Sequence, residues 1–428
     1  MRLHLARMGR LGRSLVFGLS FLVLSCGGRE IPVFSGPGFD TDPPRPGPLN
    51  GRIVATDNGD DTLAVCDPTQ RRMMWQVPVG FIPVELEGPH HVSASPLGDF
   101  FYFNLSEAVT GSGSGPHGAH GTGTQPGFVL KMEAQTASLV KWAQVDPNPG
   151  DNTISPDGKT VYATHYDLIK WTRYYQMSPP DPSLISMFYS TLAVIDADTM
   201  NVQKKVPICF AAHGLRTSAD GQVAYSTCGP DQIAVIRLSE PGLPVTRVPL
   251  TAQSTEGPSC DRCPYGLNVA PDGTVWVGDL GPNGGGSGGG DVRVYDPALG
   301  AFDPARVAPV NGRALFAAFT HAPSGWRVYV PEQGFQDFVR IYDPKARGQA
   351  PVEVGHIGPF ARNDCLNAHM ILISDDDKTG YLVCEGDHVG PGRLVLLDLS
   401  AGSMIVSIPI GVFPDGIALI PPRGSGGG

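Results

Sequence analysis

The chain has 428 residues, with 31 Lys and Arg against 41 Asp and Glu, and a net charge near −10. Only 17% of the residues are charged, while 55 are Gly and 41 are Pro. The acidic balance, with no basic patch, disfavours nucleic acid and anionic lipid headgroups as partners, and so many turn formers suit short strands rather than long helices.

At the N-terminus Arg2, Arg7, Arg10 and Arg13 precede an apolar run from Leu15 to Leu24, followed by Ser25-Cys26-Gly27. A charged start, a short apolar run and a small residue before the cut predict a secretory signal, too short to span a bilayer. Val23-Leu24-Ser25-Cys26 resembles a bacterial lipobox. That resemblance implies removal of residues 1–25, a lipid anchor on Cys26, and sorting to the outer membrane through Gly27. Leu24 is larger than the pattern prefers, which leaves ordinary secretion into the periplasm as the alternative. Taking those four arginines from the 31 basic residues leaves 27 against 41 acidic ones, so the mature chain carries about −14. Residues 26–50 are rich in Gly and Pro and read as a tether, and residues 422–428 as a disordered tail.

Between residues 51 and 421 the chain repeats itself. Ser155-Pro156-Asp157-Gly158-Lys159-Thr160-Val161-Tyr162 recurs as Ser218-Ala219-Asp220-Gly221-Gln222-Val223-Ala224-Tyr225 and as Ala270-Pro271-Asp272-Gly273-Thr274-Val275-Trp276-Val277. A second phrase follows each copy: Thr62-Leu63-Ala64-Val65-Cys66-Asp67, Thr191-Leu192-Ala193-Val194-Ile195-Asp196, Val292-Arg293-Val294-Tyr295-Asp296 and Val339-Arg340-Ile341-Tyr342-Asp343. Repeats of four short strands, A to D, predict an all-β fold, a β-propeller. Blades 2 to 7 start near His91, Asn152, His213, Tyr265, Leu315 and His369. Residues 52–79 supply strands B to D without an A strand, and Gly416-Ile417-Ala418-Leu419-Ile420-Pro421 supplies an A strand alone. Joined, they make a seven-bladed ring closed by a C-terminal A strand on N-terminal B–D strands, which hides the sheet edges.

Val54-Ala55-Thr56-Asp57-Asn58-Gly59-Asp60-Asp61-Thr62 and Val412-Phe413-Pro414-Asp415-Gly416-Ile417-Ala418 resemble the YVTN repeat of seven-bladed propellers, which group with cytochrome-d1-type and lactonase-type propellers. The resemblance spans nearly all of residues 51–421. It implies a fold and says little of function, because the repeated residues are turns and packing strands.

The long connections, residues 107–127, 168–190, 281–290 and 385–392 between strands B and C, and 252–262 between D and A, all fall on one face, which marks a working surface. Residues 168–190 carry Trp171, Tyr174 and Tyr175, a candidate surface for an envelope protein or a glycan, or else a loop packed on the neighbouring blade. The Gly-rich stretches holding His117 and His120, and 284–290, read as flexible filler.

Aligning the blades on their A–B turns puts His90, His213, His369 and Asp415 at one position, just before strand A and at the mouth of the axial funnel, with Tyr265 beside them in blade 5. The ends of strand B add Asp57, His165, Asp279 and Glu332 as a secondary set. Imidazoles and carboxylates converging on an axis are the ingredients of a Zn or Cu site, and equally of a set of structural hydrogen bonds. Cys209 and Cys228, and Cys365 and Cys384, are spaced alike and read as disulfides of an oxidising compartment, each across the open end of an A–B hairpin. In both blades the first of these cysteines also opens a Cys-x-x-x-His pattern that suits copper. Cys260-Asp261-Arg262-Cys263 reads as a loop-stiffening disulfide without the βαβ setting of a redox motif, and Cys66 as a buried apolar residue. Two functions stay open: a monomeric binding or scaffold module, or a Zn- or Cu-dependent periplasmic enzyme resembling lactonase-like or oxidase-like propellers.

Overall fold

The two repeated phrases are turn chemistry. In Ser-x-Asp-Gly the glycine takes a positive φ (+71° at Gly158), and its N–H donates to Ser155 O at 2.8 Å. Asp157 Oδ1 accepts from Ser155 Oγ and from the Lys159 N–H, so the A–B turn is pinned at both ends. The aspartate ending the second phrase closes the C–D turn: Asp67 accepts from the N–H groups of Thr69 and Gln70, and Asp398 from those of Ser400 and Ala401.

A computed structural model describes residues 47–81, 86–107, 121–254, 257–284, 289–322 and 325–423. The candidate signal, Cys26 and nearly all of the tether lie outside the described residues, as do His117 and His120. Leu49 is fully buried and hydrogen-bonded to Ala134 O, so the packed body begins before residue 51.

Seven antiparallel sheets form the blades. Blade 1 joins Pro414–Leu419 to Ile53–Asp57, Thr62–Asp67 and Arg72–Pro78, with Ile53 opposite Leu419 and Thr56 opposite Gly416. The ring thus closes as the sequence predicts. Blades 2 to 5 begin with strands A at Pro89–Ala94, Pro149–Ile154, Leu215–Thr217 and Pro264–Val269, and blade 7 at Ala368–Ile373. In blade 6 strand A is split into Arg313–Ala314 and Ala318–Phe319, because Leu315 and Phe316 turn into the apolar core at the axis. Inner strands such as Ile53–Asp57 and Val328–Gln333 are buried at every residue, since each blade is sandwiched between two others. Outer strands such as Val352–Ile357 are largely exposed.

Carboxylates stitch successive blades. Asp61 accepts the N–H groups of Glu87 and Gly88, Asp231 those of Asp261, Arg262 and Cys263, and Asp337 those of Asn367 and Ala368. Three disulfides form: Cys209–Cys228, Cys260–Cys263 and Cys365–Cys384. Cys209 ends strand D of blade 3 (Val202–Cys209) and Cys228 ends strand B of blade 4 (Val223–Cys228), so this bridge links two blades instead of closing one hairpin. Cys66 is free and buried, and burial raises its thiol pKa.

Residues 168–190 fold into a helix, Leu168–Gln176, capped by Asp167, and a 3₁₀ turn, Pro182–Phe188. Tyr174 and Tyr189 are buried against Phe210, and Trp171 stacks on Phe210 while donating Nε1–H to Gly257 O at 3.0 Å. Trp171, Tyr174 and Tyr175, the candidate ligand surface, therefore face inward. A short helix with one apolar side is held by burying it.

Candidate metal centre at the blade axis

In blades 1, 2, 3, 5 and 7 strand A is irregular near its start. In blade 2 the pairing slips between His90 and Val92, and His91 takes a φ of +47°. On a regular strand two consecutive side chains point to opposite faces; the bulge lets both His90 and His91 project towards the axis. Gly416 makes room for them, because a Cβ there would lie 2.5 Å from the His91 Cα.

The resulting cluster is fully buried. His90, His91 and His213 each offer one ring nitrogen, and these atoms all lie within 4.8 Å of one another. His90 Nε2 is 3.1 Å from His213 Nε2, close to the roughly 3.3 Å separating two nitrogens on a tetrahedral zinc ion with 2.0–2.1 Å bonds. Behind His90, Nδ1 is bonded to Asp415, whose carboxylate also accepts from Thr56 Oγ1 at 2.7 Å and from Asn58. A carboxylate on the far nitrogen orients an imidazole for a metal and makes it a better donor. His91 Nδ1 lies 3.4 Å from Asp151 Oδ1, and its Nε2 has no hydrogen-bond partner among the described residues. Burial first, then the neighbouring imidazoles of His90, His213 and His369 and the Arg216 guanidinium, holds His91 well below the ordinary histidine range. It is therefore a neutral donor, the form that binds metals. Neutral nitrogen donors suit Zn and Cu.

His369 is at the axis but outside this group: its Nδ1 lies 2.9 Å from Glu385 Oε1 and its ring stacks on Phe316. Asp415 stands behind His90 rather than among the ligand atoms. The secondary set points elsewhere. His165 Nδ1 donates to Thr191 O at 2.7 Å, Asp279 accepts the N–H groups of Gly281 and Asp291, Glu332 pairs with Arg340, and Asp57 accepts from Thr62 Oγ1. Strand alternation explains this. The last residue of strand B faces strand C, whereas the one before it faces the axis, as Thr56, Thr164 and Thr227 do in bonding Asp415, His213 O and Tyr265 O. Two residues were missed as site members. His91 was legible only as the second histidine where blades 1, 4 and 5 place glycine (Gly416, Gly214, Gly266). Asn104, opposite His90 in the strand pairing, is buried with neither amide atom partnered among the described residues.

No protein-family model matches the chain, and no curated protein sequence does either. Solved structures do. A protein of unknown function from Desulfotomaculum acetoxidans DSM 771 superposes with a TM-score of 0.57 at 12% identity, covering 87% of this chain and 100% of that one. A 6-phosphogluconolactonase-like propeller from Bacteroides fragilis NCTC 9343 gives 0.57 at 13% identity, covering 87% and 99%. The dihydro-heme d1 dehydrogenase NirN gives 0.51 at 13% identity, covering 89% and 77%. At such identities the likeness carries the fold alone: this chain is a seven-bladed β-propeller.

Proposed function

We propose that the protein is an exported propeller, directed by residues 1–25 and anchored through Cys26, that holds one Zn or Cu ion at its axis through His90, His91 and His213. The observation carrying this reading is three buried imidazoles with ligand atoms within 4.8 Å of one another. Asp415 orients His90, and the buried, neutral His91 supplies a nitrogen unpartnered among the described residues. Three protein ligands leave a fourth position, the arrangement in which a metal activates water, so metal-assisted hydrolysis or oxidation is the chemistry this set supports.

The test is metal content by mass spectrometry on protein folded in the periplasm with Cys26→Ser. About one Zn or Cu per chain is expected, lost in His91→Gln and in His213→Gln. Substoichiometric metal that ignores both changes sinks the reading.

A binding role for the insert-bearing face is supported by a different observation. Met187, Phe335 and Val389, all in B–C connections, are strongly exposed. Replacing the three by Ser in the Cys26→Ser protein should lower its retention on isolated envelope fractions; unchanged retention counts against a partner there.

A further inference from the structure

The three disulfides are unlike. Cys209, Cys228, Cys365 and Cys384 are buried, whereas Cys260 and Cys263 are half-exposed. A bridge across two intervening residues also constrains the unfolded chain least, so stability is a weak reason for it. Hydrogen bonds hold the loop as well. The N–H groups of Asp261, Arg262 and Cys263 donate to the single carboxylate of Asp231 at 2.7, 2.8 and 2.9 Å, and Cys263 O accepts from the Leu280 N–H. This clamp holds Cys263 at a φ of +54°, a conformation that costs energy unless its surroundings impose it. Asp261 and Arg262, the two residues between the sulfurs, line a cavity of about 900 Å³ with Thr251, Ser254, Arg293 and Ala301. The cavity opens between the outer strands of blades 4 and 5, Val245–Pro249 and Ala301–Pro309.

We propose that Cys260–Cys263 is a thiol–disulfide exchange site whose substrate is a pair of reduced cysteines on a polypeptide, seated in this cavity. A substrate thiolate attacks one sulfur, forming a mixed disulfide and releasing the other cysteine as a thiolate that takes up a proton. The second substrate thiolate then attacks the mixed disulfide and expels the remaining cysteine. Two electrons pass from the substrate dithiol, which becomes a disulfide, to Cys260 and Cys263, which become thiols. The Asp231 clamp lets both states share one loop.

The experiment treats the folded Cys26→Ser protein with graded dithiothreitol or a synthetic peptide dithiol, quenches with an alkylating agent and maps the labelled cysteines by mass spectrometry. Cys260 and Cys263 should open at reductant levels at least about tenfold below those that open the other two pairs, with the thermal transition still cooperative. Opening only together with the buried pairs overturns the exchange site. Ala252→Trp, which narrows the cavity from an exposed position, should slow the peptide about tenfold and leave dithiothreitol unaffected. If it does not fold, Ser254→Arg replaces it. Equal slowing of both reductants, or of neither, overturns the polypeptide substrate.

Discussion

A single backbone irregularity decides which side chains meet at the axis. His90 and His91 are neighbours in sequence, and only the slip between His90 and Val92 turns both to one side. In the proposed site Asp415 would act on the metal through His90, so Asp415→Asn should leave the fold intact and weaken metal binding about 10- to 100-fold, read by chelator competition. His369→Gln, which removes a partner of Glu385, should leave metal stoichiometry unchanged; loss of the ion in that variant would place His369 among the ligands. Elsewhere, burial of His165, only partly offset by Asp146, lowers its pKa to about 4. The unfolded chain then binds a proton below about 6.5 that the folded one refuses. Its contribution is complete above that pH and is lost as the pH falls towards 4, by up to about 3 kcal/mol. His165→Asn should flatten this part of the stability profile in denaturant titrations at stepped pH. An unchanged slope would show that His165 charges equally in both states.

The elements that differ from blade to blade are the ones whose roles changed on folding. The segment 168–190 is rich in aromatics because it covers Phe210, which its helix could not do with polar residues. Tyr174→Ala, which empties a buried site, should therefore cost about 3 kcal/mol in chemical denaturation, where a ligand-facing tyrosine would cost little. The Cys209–Cys228 bridge ties blade 3 to blade 4 across a separation of 19 residues, and replacing both cysteines by Ala should cost about 3 kcal/mol. A loss well under 1 kcal/mol would mean that the blade interface already holds these strands without the bridge.

At the scale of the whole molecule, stability rests on closure. Blade 1 is assembled from the two ends of the ring, with Pro414–Leu419 pairing Ile53–Asp57 and Thr56 bonding Asp415 across 359 positions of sequence. A chain ending at Phe413 would lose Asp415 and expose the edge of Ile53–Asp57, an unpaired strand buried at every residue. It should lose its cooperative thermal transition and the proposed metal together, by calorimetry and mass spectrometry; a transition at the original midpoint would show that the ring does not need its closing strand.

The repeat, the blade count and the closing strand were legible in the sequence because they rest on local codes: Ser-x-Asp-Gly turns, aspartates capping the C–D turns, and alternation along short strands. The position of His90, His213, His369 and Asp415 near the axis was legible for the same reason, since it follows from alignment on those turns. Which of them meet was not. Bringing His90 to 3.1 Å from His213 and adding His91 depend on a bulge and on a glycine in another blade, contacts between residues far apart in the chain, while His369 turns to Glu385 within its own blade. Strand alternation sets the direction of Asp57, His165, Asp279 and Glu332 only once the end of each strand B is known, and that end is set by packing. Local periodicity carries the fold, while convergence of side chains on an axis is a property of the closed ring.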